Sequence, residues 1–407
     1  MSLREKIEQE ISQGGPIPFS RYMELCLYDP ELGYYSRQAE KFGKAGDFYT
    51  ASDVHAVFGR LLARQFDEMW RALGSSGRIE VVELGPGRGL FARDVLAWSE
   101  KKFPDFFRAL EYRLVERSAS LCRRLEITLE RHVVSGKARV EGQWDEADGR
   151  DAPRFAGSVG GLAGRGVRTH EEMSMGARAA SPVIVFANEF FDALPVEVLS
   201  RKGSLRVDLR EGRFVEAWVP ASLAELEFLD RYGVHPEAGE RVEAPLAALG
   251  EMKRIASRVQ HGFAVIIDYG YTRDQQLAGR HRGTIMSYRE HRANPNPYAA
   301  PGEQDLTAHV NFTALAAAAG QQGFRTQKLH TQSTFLMGIG EANQFADAFE
   351  ECRLPQERAK VALQLKHLVT PAGLGETFHV LVASKGVNES DVLNLSGLRF
   401  GRGTLEE

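Results

Sequence analysis

The sequence predicts an α/β fold: a mostly parallel central sheet, a helical extension ahead of it and a small antiparallel insertion within it. Three observations predict this. From residue 78 onward, short apolar runs, RIEVVEL (78–84), EYRLVE (111–116), SPVIVFA (181–187) and GFAVIID (262–268), are separated by stretches with helical apolar spacing. A glycine-dense turn within VVELGPGRGL (81–90) follows the first run directly, and an acid, Glu116, closes the second. Nearly continuous apolar strands alternating with helices describe a sheet buried on both faces, which parallel crossovers produce.

Taken in order, residues 1–75 read as a helical lead-in, with an amphipathic start (MSLREKIEQEIS) and a periodic stretch ending in FGRLLARQFDEMW. The core spans 76–385. After the glycine turn come helices at about 90–103 and 117–131 and a weaker strand near 138–141. Residues 148–181 are rich in Gly, Ala, Ser and Arg without periodicity, and read as a flexible insertion. In 196–220, period-two alternation broken at RKG and REG predicts an antiparallel meander. Residues 270–310 form a polar, Gly- and Pro-containing loop on the substrate side, followed by a helix, a strand near 324–330, further helices and a closing strand, TFHVLVASK. Residues 386–407 read as a loose tail.

A chain of 407 residues exceeds one small core, so two or three units, or one large domain with additions, are expected. With 43% hydrophobic and 26% charged residues it can bury enough apolar surface to fold alone. A net charge of -4 supplies no global basic field, which argues against nucleic acid as the partner. Cys26, Cys122 and Cys352 are widely separated, so neither a disulfide framework nor a cysteine zinc site is indicated, and a reducing, cytoplasmic setting is expected. The start lacks the composition of a secretion or transit signal, and no run is long and apolar enough to predict a membrane span.

Gly85, Gly87 and Gly89 lie between a strand and a helix, where glycine lets backbone adopt positive φ and approach a ligand. A dinucleotide fingerprint needs its third glycine at 90, but residue 90 is Leu. The spacing G-x-G-x-G after an acid, Glu83, is typical of turns that hold S-adenosylmethionine. Glu116, at the end of the next strand, is placed to accept both ribose hydroxyl protons. The alternatives are a tight turn without a ligand and an acid that merely opens the following helix. No Walker-type sequence occurs at this turn, which argues against a nucleoside triphosphate there.

FANEFFDALPVEVL (186–199) brings Asn188, Glu189 and Asp192 to the carboxyl edge of the third apolar strand, beside the cofactor crevice. Helix capping is the alternative for the two acids. Phe190 and Phe191 fit core or pocket wall. With these motifs on view, the chain resembles the MidA-like class I methyltransferases, a family that includes a mitochondrial complex I assembly factor. The likeness is carried by GPIPFSRYM, YDPELGYY, GDFYTA, FGRLLARQ, VELGPGRG, LVERS, NEFFDALPV, IDYGY, GTIMSYREH and PGEQDLTAHVNFTAL.

The resemblance implies a Rossmann-like fold, S-adenosyl-L-methionine as cofactor and methylation of a protein at arginine, a respiratory-complex subunit being the family's example. It places Asp47 and Thr50 over the cofactor, although turn and cap chemistry would also explain them. Glu189 and Asp192 are then candidates to grip a guanidinium, with Asn188 contacting the reacting nitrogen. His309 is a candidate proton acceptor or substrate contact, and Asp305 or Thr307 a cap for the helix that follows. Asn311 stands where the family pattern leads to Asp. No metal is required for methyl transfer. A small-metabolite methyltransferase and a non-catalytic, cofactor-binding assembly factor remain as alternatives.

Overall fold

The computed structural model describes residues 1–37, 56–144, 181–280, 282–289 and 292–400. Asp47, Thr50 and all of the 148–181 insertion except Ser181 lie outside the described residues.

A reciprocal cap between Ser2 and Glu5 starts α1 (Leu3–Gly14). A short strand, β1 (Ile17–Pro18), leads into α2 (Phe19–Tyr28) and α3 (Tyr34–Arg37). In α4 (Ala56–Ala72), Phe58, Leu61, Leu62, Phe66 and Met69 recur at helical spacing and are fully buried. The central strands follow: β2 (Ile79–Leu84), β3 (Leu110–Val115), β4 (Ala138–Glu141) and β5 (Val183–Asn188), with α5 (Leu90–Lys102) between the first two. The meander is β6 (Glu197–Ser200), β7 (Gly203–Arg210) and β8 (Arg213–Val219), with β9 (Val242–Ala244) beside β6. The long strand β10 (Gly262–Tyr271) and the closing strand β11 (Phe378–Lys385) complete the elements that matter here.

The order across the main sheet is β4–β3–β2–β5–β10–β11. Neighbours are parallel except for β10 and β11, which run antiparallel. All residues of β2 and β10 are buried, because α4 and α5 cover one face while the helices Leu246–Arg258 and Phe312–Gly320 cover the other. The predicted Rossmann-like α/β class is therefore what the chain adopts. The chain runs outward from β2 through β3 to β4, then resumes at β5 on the opposite side of β2, so strand order reverses between β2 and β5. Open sheets bind ligands in the crevice at such a reversal. A separate antiparallel sheet of β1 and β6–β9 packs its apolar face on α1 and α2 through Ile7, Tyr22, Val198 and Val207.

Three expectations need correction. Residues 386–400 are not loose: Glu389–Leu393 and Ser396–Arg399 are helical, and Val392, Leu395 and Leu398 are buried in the main core. The segment is too short and polar for its helices to show in the sequence, and it is fixed by docking: Ser396 N–H donates to Glu68 and Gly397 N–H to Gln65, both on α4. Leu398→Ala is expected to lower stability by about 2–5 kcal/mol, read as a lower denaturant midpoint; an unchanged midpoint would contradict this docking. The strand near 324–330 is two short pairings, Arg325–Thr326 and His330–Thr331, both against β11. The helix at 312 is capped by neither Asp305 nor Thr307, which lie in a strand; Asn311 caps it, accepting from Ala314 N–H at 3.0 Å.

Candidate functional site

The carboxyl ends of β2, β3 and β5 and the helices α2 and α3 enclose a cavity of about 590 Å³. On the β2 side, Gly85, Gly87 and Gly89 all have positive φ, at 62°, 53° and 74°. They differ in cause. A Cβ at Gly85 would stand 2.8 Å from the Phe190 ring, and one at Gly89 would stand 2.7 Å from Leu125, whereas one at Gly87 would meet nothing within 4 Å. Gly85 and Gly89 are thus required by packing, while Gly87 faces open cavity. Glu116 follows β3; its Oε1 accepts Ser118 N–H at 2.8 Å, and burial pushes its carboxyl up to about 7 against that bond. Glu83 also lines the cavity, but it is buried and accepts Tyr112 O–H at 2.8 Å, with burial holding its carboxyl up at about 8.

The NEFFD segment after β5 is a turn rather than a helix, so no cap is needed from its acids. Its shape is imposed by Asp268, a fully buried residue near the end of β10. The Asp268 carboxylate accepts N–H bonds from Phe191 at 3.0 Å, Asp192 at 3.2 Å and Tyr269 at 2.9 Å. Burial, with the charges of Asp192 and Glu189 beside it, pushes the Asp268 carboxyl well up. Glu189 has left-handed backbone, φ 50°, a conformation rare for a residue with a Cβ, and its carboxylate accepts from Asn188 Nδ2 at 3.1 Å. Asp192 is 5% exposed: Oδ2 accepts the Tyr269 hydroxyl, while Oδ1 has no hydrogen-bond partner among the described residues. Burial raises its carboxyl to about 6. Asn188 Oδ1 is buried and lacks a partner in the same sense.

The structure therefore brings Glu83, Gly85, Gly87, Glu116, Asn188, Glu189 and Asp192 to one cavity. It brings neither Gly89, which packs on Leu125, nor His309 there. That ring packs edge-on to Tyr269, with centroids 5.2 Å apart, behind the residue that holds Asp192. The sequence reading missed four contributors. Asp305 and Tyr35 line the cavity and are joined by a hydroxyl-to-carboxylate bond of 3.2 Å. Tyr28 lines it as well and donates to Ala193 O at 2.9 Å. Asp268 organises it from below. All four stood in motifs already quoted, Tyr28 and Tyr35 in YDPELGYY, Asp268 in IDYGY and Asp305 in PGEQDLTAHVNFTAL, but a motif does not say which of its residues face a cavity.

The residues fit an adenosyl cofactor. Gly87 leaves open space at the strand-to-helix turn, Glu116 offers a carboxylate to a ribose on the neighbouring strand tip, and the partnerless Asn188 and Asp192 oxygens lie across the switch point. Such a turn and acid on this sheet define the S-adenosylmethionine-dependent methyltransferases. Residues 61–330 match the profile of Methyltransf_28, a family of such enzymes, and the chain belongs to that family.

Among its relatives is the mitochondrial protein arginine methyltransferase NDUFAF7 of Danio rerio, 29% identical over 393 residues, covering 93% of this chain and 85% of that protein. The Drosophila melanogaster homologue is 28% identical over 414 residues, covering 95% and 85%. A crystal structure from Burkholderia thailandensis, bound to S-adenosyl-homocysteine, superposes with a TM-score of 0.74 at 28% identity, covering 96% of this chain and 94% of that one. S-adenosyl-L-methionine is the cofactor. The relatives are named as mitochondrial, which overturns the expectation of a cytoplasmic protein drawn from cysteine usage.

Proposed function

We propose that this methyltransferase acts on a protein at arginine, with Glu189 and Asp192 gripping the guanidinium and Asn188 contacting the nitrogen that receives the methyl. The observation that carries the reading is Asp192: a buried carboxylate lining the cavity, with one oxygen left for an incoming donor. An orphaned buried acceptor is costly unless a ligand satisfies it. Relatives named as protein arginine methyltransferases point the same way, and the family resemblance offers a respiratory-complex subunit as the first target to try.

When bound, the cofactor supplies an electrophilic methyl group on a sulfonium. The protein's own residues do the rest. A guanidinium held by paired carboxylates keeps its plane fixed and its attacking nitrogen about 3–3.5 Å from the methyl carbon. As that nitrogen gains a carbon it sheds a proton, and Asp192 Oδ1 takes it. Incubating the protein and radiolabelled cofactor with cell lysate should place label in a protein band that yields methylarginine on hydrolysis. Label confined to small molecules would support a metabolite methyltransferase, and no transfer at all a non-catalytic factor.

We assign cofactor binding to Gly85, Gly87 and Glu116, with Gly89 and Glu83 supporting the turn. Only the ionised Glu116 accepts from both ribose hydroxyls. With its carboxyl raised to about 7 in the free protein, affinity must fall as pH drops through that value. Calorimetry should show cofactor bound about tenfold more weakly at pH 6 than at pH 8, and Glu116→Gln should flatten the profile while weakening binding throughout. A pH-independent wild-type affinity would remove Glu116 from the ribose.

A further inference from the structure

The geometry points to Tyr269 as the positioning residue of the transfer step: its hydroxyl fixes one oxygen of Asp192 and leaves the other for the substrate. This rests on the reading of Asp192 above and adds the group that sets it. Tyr269 belongs to β10, is buried, and stands behind Asp192 rather than in the cavity. Its ring is held from two sides, edge-on to Phe378 directly across on β11, with centroids 5.5 Å apart, and edge-on to His309. Its N–H donates at 2.9 Å to Asp268, the carboxylate that shapes the NEFFD turn. With ring and main chain both fixed, the hydroxyl donates to Asp192 Oδ2. The Thr307 hydroxyl bonds to the same phenol oxygen, and Ala308 N–H donates to Asp192 O at 3.0 Å. Asp192 is thus gripped at Oδ2 and at its main chain, while Oδ1 has no hydrogen-bond partner among the described residues.

In the transfer step the acceptor nitrogen bonds the methyl carbon as the carbon–sulfur bond gives its electron pair to sulfur, and the proton that the nitrogen sheds passes to Asp192 Oδ1. Only an ionised Asp192 can take it. Burial raises that carboxyl to about 6; the Tyr269 hydroxyl works against burial, because a hydrogen bond to a carboxylate favours its charged form, and the N–H groups of Ala193 and Asp192 lean the same way. Burial and the charges of Asp192 and Asp268 push the phenol itself well up, so it stays protonated and donating through the neutral range. The other groups around Asp192 are Asp268 on β10, Glu189 on its own turn, Asp305 on the strand Asp305–Thr307, and the phenols of Tyr28, Tyr35 and Tyr288. Glu116, Arg88 and Arg117 line the cofactor side of the cavity. Removing one hydroxyl alters none of these, so exchanging Tyr269 for Phe isolates its bond to Asp192.

The test titrates the full chain, saturated with S-adenosyl-homocysteine and carrying aspartate labelled with carbon-13 at the side-chain carboxyl, by nuclear magnetic resonance. Asp192→Asn identifies the Asp192 signal by its loss. In Tyr269→Phe the midpoint of that signal should rise by about one pH unit, a tenfold gain in proton affinity. The acid limb of label transfer from radiolabelled S-adenosylmethionine to lysate protein should move up with it, with the loss in kcat rather than KM and the rate recovering at high pH. A residue that only supports the fold would lower the rate without moving either midpoint, and an unmoved Asp192 midpoint overturns the assignment. Wild-type transfer in Asp192→Asn fails the reading of Asp192 itself, so the two failures are distinct. Should Tyr269→Phe not fold, Tyr269→3-fluorotyrosine serves: nearly the same size, its more acidic phenol donates more strongly and should lower the Asp192 midpoint, and an unchanged midpoint there also overturns the assignment.

Discussion

Asp192→Asn is expected to leave cofactor affinity within about twofold of wild type while turnover falls roughly 10²–10³-fold. The amide keeps the size of the carboxylate and an acceptor for Tyr269, so the turn should hold its shape. It cannot take the proton that leaves the methylated nitrogen, and it provides no charge to balance a guanidinium. Glu189→Gln should show the same separation, with a smaller loss of turnover because proton uptake is left in place. With Asp192 raised to about 6, the wild-type rate should climb as pH rises through that value, since only the ionised form accepts a proton. Turnover unchanged in Asp192→Asn would remove the residue from the chemistry and return the cavity to a pure binding role.

Asp268→Ala should be the most damaging single change for the fold of the site. The Asp268 carboxylate satisfies three main-chain N–H groups, all in buried positions. Unpaired, each costs about 1–3 kcal/mol, so a loss of at least 3 kcal/mol in denaturant stability is expected, less the relief of removing a buried charge. The NEFFD turn would lose its shape with it, and transfer activity should vanish even at temperatures where the variant is folded. Asp268→Asn retains one acceptor oxygen and should fall between wild type and alanine in stability. A variant as stable as wild type would show that the turn is held by its other contacts, such as the bond from Ala308 N–H to Asp192 O.

The architecture was legible because its signals are local. RIEVVEL, SPVIVFA and GFAVIID are apolar at most steps that the sheet buries, Glu80, Glu83 and Asp268 being the charged exceptions, and glycines at 85, 87 and 89 stand in the turn where positive φ is needed after β2. Glu116 was visible for the same reason, as an acid at a strand tip. What escaped is what depends on distant parts of the chain. Tyr35 and Asp305 are 270 residues apart and meet only once both layers have folded. The helices at 389–393 and 396–399 carry no strong periodicity and are held by docking: Val392 and Leu398 enter the main core, and α4 supplies acceptors for Ser396 and Gly397 N–H. His309 was drawn into the site by its neighbours in sequence, yet the strand that brings Asp305 to the cavity ends at Thr307, and His309 beyond it packs against Tyr269. Cysteine spacing, finally, reports whether thiols are kept reduced and does not distinguish one reducing compartment from another.

The outer wall of the cavity has a consequence for how such enzymes diverge. Tyr28 and Tyr35 precede residue 61, where the match to the family profile begins, while the glycine turn, Glu116 and the NEFFD turn all follow it. This part of the cavity wall and the residues of the cofactor turn thus lie in separate stretches of the chain. A substitution in the opening stretch would therefore reshape that wall while leaving Gly85, Gly87 and Glu116 as they are.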